Sequence, residues 1–161
     1  MQHKEFKVTY EEYASDAELD PADRELLTKA REVTADAYAP YSHFRVGAAA
    51  RLVTGEVITG TNQENASFPV GICAERVLLS TAASLYPGTP IHAIAVSYFN
   101  EQGPADRPIS PCGICRQSLQ EFETRTKMPI RLILGGQTGP VYVVPGSGSL
   151  LPLAFVPGDL I

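Results

Sequence analysis

Three cysteines are the residues of this chain whose type and spacing suggest chemistry. Cys112 and Cys115 form a Cys-x-x-Cys pair, and Cys73 precedes them at a distance. Each lies at or near the point where a loop rich in Gly and Pro gives way to a helical pattern. A helix start favours thiolate over thiol, because it presents unpaired N–H groups and the positive end of the helix dipole. Three thiolates suit a tetrahedral zinc ion with its fourth position open to water, as in a catalytic site.

Glu75 lies two positions after Cys73. A carboxylate there could take a proton from zinc-bound water and deliver it to a substrate nitrogen. Alternatively, it is a first-turn carboxylate that interacts with the helix dipole, which contributes only about 0.3–1 kcal/mol. Residues two apart in a regular helix point to different sides, so the two side chains converge only if Cys73 sits at an irregular helix start. The spacing alone leaves both roles open.

Other interpretations of the cysteines are a structural zinc site and ordinary buried thiols. A structural site normally has four protein ligands, and the fourth would have to be a carboxylate or one of His3, His43 and His92, none of which has a persuasive spacing. The cysteine count is odd and no export signal is recognisable, so we expect metal or thiol chemistry rather than a disulfide framework.

Composition limits the kind of protein and the kind of substrate. With 161 residues, of which 44% are hydrophobic, the chain can bury the core of one domain. No apolar run approaches membrane-spanning length, and we expect a cytoplasmic protein without membrane contact. The net charge is −5 and no Lys/Arg cluster is present, so a small molecule is a better candidate substrate than a nucleic acid.

The elements that position the cysteines follow from hydrophobic periodicity. It predicts helices over 21–38, 73–85 and 112–123, and strands over 46–53, 57–61, 91–98, 130–134 and 141–144. Strands that alternate with helices predict an α/β fold of three layers, in which helices cover both faces of a mixed five-stranded sheet. Residues 1–20 are polar and acidic, and we expect them to be an N-terminal extension, a short helix or arm on the surface of the domain formed by 21–161.

Five segments of the chain resemble, in order, those of the small cytidine deaminases. They are 41–49 (YSHFRVGAA), 62–68 (NQENASF), 73–76 (CAER), 110–117 (SPCGICRQ) and 150–152 (LLP) with Phe155. The resemblance spans roughly residues 22–161 and includes the zinc signature of nucleobase deaminases. It implies zinc-dependent hydrolytic deamination of cytidine and 2'-deoxycytidine to uridine and 2'-deoxyuridine, with release of ammonia, as part of pyrimidine salvage. It also implies that Glu75 transfers the protons and that Cys73, Cys112 and Cys115 hold the zinc.

The same resemblance implies a set of substrate contacts. Asn62 and Glu64 would bind the ribose, although two turn residues that satisfy local backbone are the alternative. Phe44 would pack against the pyrimidine, and the backbone of Ala74 would help to fix its amino group. Phe68 stands where many relatives carry Tyr, which keeps the apolar surface but removes a hydroxyl.

Charge at the metal and assembly complete the expectations. Three thiolates and one Zn²⁺ sum to a net charge of −1, so a nearby guanidinium would restore Lewis acidity. The resemblance favours Arg76 for this role, and Arg116 is the rival because of its spacing of four from Cys112. Phe155 resembles an aromatic residue that reaches into a neighbouring subunit's site, which implies a homotetramer.

Three other functions compete with this prediction. A deaminase of the same fold could act on a nucleoside antibiotic of the blasticidin type, although the run 62–65 (NQEN) favours a ribose. A polynucleotide-editing deaminase is disfavoured by the acidic charge balance. A non-enzymatic zinc protein would keep the three cysteines but would have no use for Glu75.

Overall fold

A computed structural model describes residues 1–160 of the chain and contains a six-stranded sheet with three α-helices. The strands are β1 (Glu11–Tyr13), β2 (Phe44–Leu52), β3 (Val57–Thr61), β4 (Ile91–Asn100), β5 (Arg131–Gly135) and β6 (Val141–Val144). The helices are α1 (Pro21–Glu32), α2 (Ala74–Leu85) and α3 (Gly113–Thr126). The strand order is β1-β6-β5-β4-β2-β3, in which only β4 and β5 pair in parallel.

The two faces of the sheet have separate hydrophobic cores, because side chains alternate along each strand. Helix α1 buries Leu26, Leu27 and Ala30 against a face that includes Ala95 and Ile133. Helices α2 and α3 cover the opposite face, where the buried side chains include Leu78, Leu119, Ile94 and Leu132. The alternation therefore places α2 and α3 together on one side of the central strands.

The predicted three-layer α/β architecture with a mixed sheet is confirmed. The sheet has six strands rather than five, because β1 from the predicted N-terminal extension pairs antiparallel with β6. The extra strand is only three residues long, and backbone pairing at a sheet edge needs no apolar alternation that the sequence would reveal. Helix α1 ends earlier than predicted, and its last turn continues as a 3-10 segment at Val33–Asp36.

The close approach of this turn to the sheet has a local cause. A Cβ atom on Gly47 of β2 would lie 2.2 Å from the carbonyl oxygen of Ala30, so only glycine lets the helix end lie on the strand. Among residues 1–160, no helix is long and apolar enough to cross a membrane. Ile161, the last residue of the predicted domain, lies outside the described residues.

Candidate functional site

The two cysteine segments begin two neighbouring helices. Cys73 is the N-cap of α2 with φ −74° and ψ 154°, and Cys112 is the N-cap of α3 with φ −67° and ψ 170°. Cys115 follows in the first turn of α3 and is fully buried. The extended backbone of an N-cap directs its side chain away from the regular helical surface. This is the irregular helix start on which convergence of Cys73 and Glu75 depends.

The three sulfur atoms form a compact triangle. The Sγ atoms of Cys73 and Cys112 are 3.8 Å apart, and those of Cys112 and Cys115 are 3.5 Å apart. All three lie within 4.8 Å of one another. Zinc–sulfur bonds of about 2.3 Å at tetrahedral angles require sulfur atoms about 3.8 Å apart, so the donor set fits zinc. Cys112 is exposed whereas Cys115 is buried, which leaves the cluster accessible from one side.

The lowered pKa of Cys73 also favours binding of a cation by this triangle of sulfur atoms. A hydrogen bond with Cys115 lowers the pKa of Cys73 to about 6, and contacts with Cys112 and the charge of Arg76 act in the same direction. The pKa of Cys115 is raised by that same hydrogen bond and by burial. A lowered pKa favours the thiolate form of Cys73, and thiolate is the form that ligates zinc.

Glu75 lies in the first turn of α2 with only 5% of its surface exposed. Burial raises the pKa of its carboxyl group, while hydrogen bonds with its own backbone N–H and with Cys115 lower it to a smaller extent. Its charge also raises the pKa values of Cys73 and Cys115. Glu75 is thus a buried carboxyl group beside the sulfur cluster and not a solvated residue of the first helical turn. Ala74, directly between Cys73 and Glu75, is fully buried.

The two candidate arginines have different surroundings. The charge of Arg76 lowers the pKa of Cys73, so its guanidinium acts on the cluster electrostatically. Arg116 instead donates from Nε to the carbonyl oxygen of Pro111, at 2.8 Å, and from a terminal nitrogen to that of Leu150, at 3.0 Å. Arg76 thus influences Cys73 through its charge, whereas Arg116 contacts the backbone on either side of the cluster.

Asn62 and Glu64 both hold the chain that precedes and begins β2. Asn62 Oδ1 accepts a 2.7 Å hydrogen bond from Val46 N, and Nδ2 donates to the carbonyl oxygen of Phe44. Glu64 Oε2 accepts from the backbone N–H groups of Tyr41 and Ser42, at 2.9 and 3.3 Å. Desolvation alone would raise the pKa of Glu64, but its hydrogen bonds with Ser42 and Tyr41 hold it below its usual range. Glu64 is thus an ionised carboxylate with one oxygen committed to these two amides.

A pocket of about 340 Å³ adjoins this carboxylate and is lined by Tyr41, Ser42, Glu64 and Phe68, among others. The rings of Tyr41 and Phe68 meet edge to face with centroids 5.7 Å apart. Phe68 is 74% exposed, so its ring offers open apolar surface at the mouth of the pocket. The structure thus brings together two of the predicted substrate residues, Glu64 and Phe68.

Phe44 is placed differently, at the first position of β2. Its ring stacks on Tyr98 of β4, with centroids 4.8 Å apart and planes inclined by 17°. Tyr98 is buried, so it provides a fixed backing for the Phe44 ring. Phe155 lies near the C-terminus with 57% of its surface exposed, and its carbonyl oxygen accepts a hydrogen bond from Gln117. Within residues 1–160, Phe155 does not line the pocket beside Glu64.

Sequence reasoning assigned no role to Tyr41 and Ser42, which line the pocket beside Glu64, or to Tyr98, which stacks on Phe44. Tyr41 and Ser42 open the segment 41–49, so their membership of that segment was an available signal. Tyr98 continues the alternation of Ile94 and Val96 on the α2/α3 face of β4. That pattern indicates burial but does not identify the ring that stacks on it.

Comparisons with known proteins agree on one family. Residues 20–129 match the family model of the cytidine and deoxycytidylate deaminase zinc-binding region. The chain is 39% identical over 139 residues to a cytidine deaminase of Halalkalibacterium halodurans, covering 86% of this chain and 98% of that protein. It superimposes on the crystal structure of a cytidine deaminase from Burkholderia pseudomallei with a TM-score of 0.70 and 40% identity, covering 81% of this chain and 97% of the other. A blasticidin-S deaminase of Bacillus cereus is 33% identical over 102 residues, which are 62% of this chain and 72% of that protein.

Proposed function

This chain belongs to the family of cytidine and deoxycytidylate deaminases and is a zinc enzyme of that family, and from this premise we propose its substrates and the roles of its residues. The substrates are cytidine and 2'-deoxycytidine, which are hydrolysed to uridine and 2'-deoxyuridine with release of ammonia. The biological role is pyrimidine salvage in the cytoplasm.

One observation carries the proposal: the buried carboxyl group of Glu75 beside the triangle of Cys73, Cys112 and Cys115. Three cysteines leave the fourth position of a tetrahedral metal without a protein ligand, which is the mark of a catalytic site. A carboxyl group shielded from water has its pKa raised towards neutrality, where it can both accept and donate a proton. A purely structural metal site would need neither feature.

The proposed reaction divides between the metal and the chain. When bound, zinc lowers the pKa of a coordinated water molecule to about 7 and so supplies a nucleophile at neutral pH. As water adds to C4, Glu75 would take one of its protons and pass it to ring N3 of the pyrimidine. Glu75 would then move the second proton to the C4 amino group, so that the C4–N bond breaks and ammonia leaves. The oxygen becomes the C4 carbonyl of the product. The backbone of Ala74 and a loop carbonyl near Pro111 orient the amine that leaves.

The sugar is assigned to the pocket beside Glu64. Glu64 is ionised and has one carboxylate oxygen outside its hydrogen bonds with Tyr41 and Ser42, which suits a hydroxyl donor. Asn62 retains one amide hydrogen after donating to Phe44. Phe44 and Phe68 offer the apolar surfaces that a pyrimidine ring prefers.

A second candidate substrate is a nucleoside antibiotic of the blasticidin type, because a blasticidin-S deaminase is among the relatives. The ionised Glu64 favours a sugar with free hydroxyl groups over this candidate. A polynucleotide is disfavoured, since its phosphates would meet a chain with a net charge of −5.

The assembly is proposed to be a homotetramer in which Phe155 completes a neighbouring site. Exposed apolar side chains support an association surface and include Phe68, Val70, Ile114 and Phe155. Multi-angle light scattering should give four times the mass of the chain. A monomer with full activity would contradict the shared site.

The test of the proposed substrate is a panel assay on the purified zinc-loaded protein. The absorbance of cytidine and of 2'-deoxycytidine should fall as each is deaminated. The absorbance of cytosine, adenosine and blasticidin S should fall far more slowly. Glu64→Ala should weaken the nucleoside reaction but not the slow reaction of free cytosine, with Gln63→Ala as the matched control. Equal rates on cytosine and cytidine would contradict the assignment of the ribose site.

A further inference from the structure

Helix α3 holds the C-terminal segment of the domain as well as two of the cysteines. We call residues 147–155 the C-terminal strap. Arg116 donates to the carbonyl oxygen of Leu150, and Gln117 donates from Nε2 to that of Phe155, at 2.8 Å. At the other end of the helix, Glu123 accepts hydrogen bonds from the start of the strap. The strap is therefore tied along the helix that bears Cys112 and Cys115.

Glu123 accepts four hydrogen bonds, three of them from the strap. Its Oε1 accepts from Ile130 N at 2.7 Å, from Ser147 N at 2.9 Å and from the Ser147 hydroxyl at 2.7 Å. Its Oε2 accepts from Gly148 N at 3.2 Å. Ser147 is fully buried, so its hydroxyl group depends on Glu123 for its partner. Hydrogen bonds to an ionised carboxylate are the stronger kind.

The fit at Gly148 shows how closely the strap approaches the helix. A Cβ atom there would lie 2.7 Å from Oε1 of Gln120 and 2.8 Å from Oε2 of Glu123. A larger residue would have to displace the ends of these two side chains, including the Glu123 carboxylate that receives the strap. Sequence and packing agree at this point, since the glycine permits the contact that Glu123 requires.

The strap also holds a strained residue between two of its attachments. Leu153 has φ 57°, in the left-handed region, and its side chain is 87% exposed. Burial of the side chain therefore does not offset the strain. Non-glycine residues persist in this region where the surrounding structure determines them, often near functional sites. Here the ties at Leu150 and Phe155 flank the residue on both sides.

Arg116 links the strap to the backbone that directly precedes Cys112. Its guanidinium donates to the carbonyl oxygen of Leu150 in the strap and to that of Pro111, which directly precedes Cys112. A shift of Leu150 would therefore change how Arg116 holds Pro111. Changes to partners that orient metal ligands typically lower metal affinity or activity by about 10- to 100-fold.

We propose that Glu123 is a positioning residue for the metal site, which acts by fixing the start of the strap so that Arg116 can hold the Pro111–Cys112 backbone. The inference rests on the proposed function only in taking the three cysteines as the zinc ligands. It does not depend on which molecule is deaminated.

The experiment follows zinc release from the folded protein to a chromophoric chelator. Glu123→Ala should release zinc 10- to 100-fold faster, as changes around metal ligands do. Glu123→Gln should restore most of the retention, because an amide oxygen can still accept the bonds made by Oε1. Glu121→Ala, on the same helix but without a hydrogen bond to the strap within residues 1–160, should behave as the unsubstituted protein. The cobalt-substituted Glu123→Ala protein should also show altered visible absorption.

A merely structural role would give a different result. Asp20→Ala removes the N-cap of α1 on the opposite face and lowers stability without touching the strap, so it should leave zinc release unchanged. The two variants are compared under conditions in which their melting temperatures are equal. If Glu123→Ala then releases zinc no faster than Asp20→Ala, the proposal is overturned. If Glu123→Ala does not fold, Ser147→Ala carries the same test with a smaller expected acceleration. Unsubstituted protein that retains zinc but does not deaminate cytidine would instead overturn the proposed function alone.

Discussion

Asn62 Nδ2 donates a 2.9 Å hydrogen bond to the main-chain carbonyl oxygen of Phe44. Its Oδ1 accepts from Val46 N in the same strand, so one amide spans two residues at the start of β2. The side chain proposed to bind ribose therefore also fixes the backbone of the aromatic residue proposed to bind the base. Under the proposed roles of these two residues, Asn62 would couple recognition of the sugar to recognition of the base.

The first prediction follows from this double role. Asn62→Ala should lower the free energy of unfolding by about 1–3 kcal/mol, because Val46 N and the Phe44 carbonyl lose their partner. It should also raise the KM for cytidine. Chemical denaturation and steady-state kinetics measure the two effects, with Gln63→Ala as the control. A rise in KM without loss of stability would show that Asn62 contacts substrate but does not support β2.

The second prediction separates the two arginines. Arg76→Gln should lower zinc retention or turnover by about 10-fold to 100-fold, since it removes positive charge beside Cys73. It should also shift the acidic limb of the pH profile. Arg116→Gln should loosen the backbone at Pro111 and Leu150 and leave the pH profile in place. If only Arg116→Gln moves the pH dependence, the wrong arginine has been assigned to the metal.

The third prediction concerns residues 1–20, which we propose to be an extension that completes the sheet edge without entering the site. Tyr10 lies against Tyr142 with ring centroids 4.8 Å apart, and β1 pairs with β6. An aromatic pair contributes about 0.5–1.5 kcal/mol. Deletion of residues 1–13 should therefore lower the free energy of unfolding by at least this amount. It should also expose the edge of β6 to association. Loss of zinc or turnover in the folded truncated protein would contradict this proposal.

Much of the fold was predictable because its elements have strong local signals. The predicted bounds of Val57–Thr61 and Val141–Val144 agree with β3 and β6, since turn residues delimit both runs. The start of α1 agrees because Asp20 caps the helix and Pro21 occupies its first position. Strand β1 was missed because main-chain pairing with β6 forms it, and its side chains carry little pattern.

The site was predictable in residue type but not in geometry. Spacing identified Cys73, Cys112 and Cys115, yet only the N-cap backbone of Cys73 shows how Glu75 comes to lie beside them. The engagement of Asn62 with β2 and of Arg116 with two carbonyl oxygens depends on contacts distant in sequence. No local pattern of residues encodes such contacts.

The most direct test of the account compares Glu75→Gln with the unsubstituted protein in zinc content and in cytidine turnover. Because Glu75 is assigned proton transfer and not ligation, the variant should keep about one zinc per chain and its fold. Its turnover should fall by about 100-fold to 10,000-fold, as expected for loss of a general acid–base group. Turnover near that of the unsubstituted protein, with zinc retained, would contradict the central claim that the buried Glu75 carboxyl group carries the reaction.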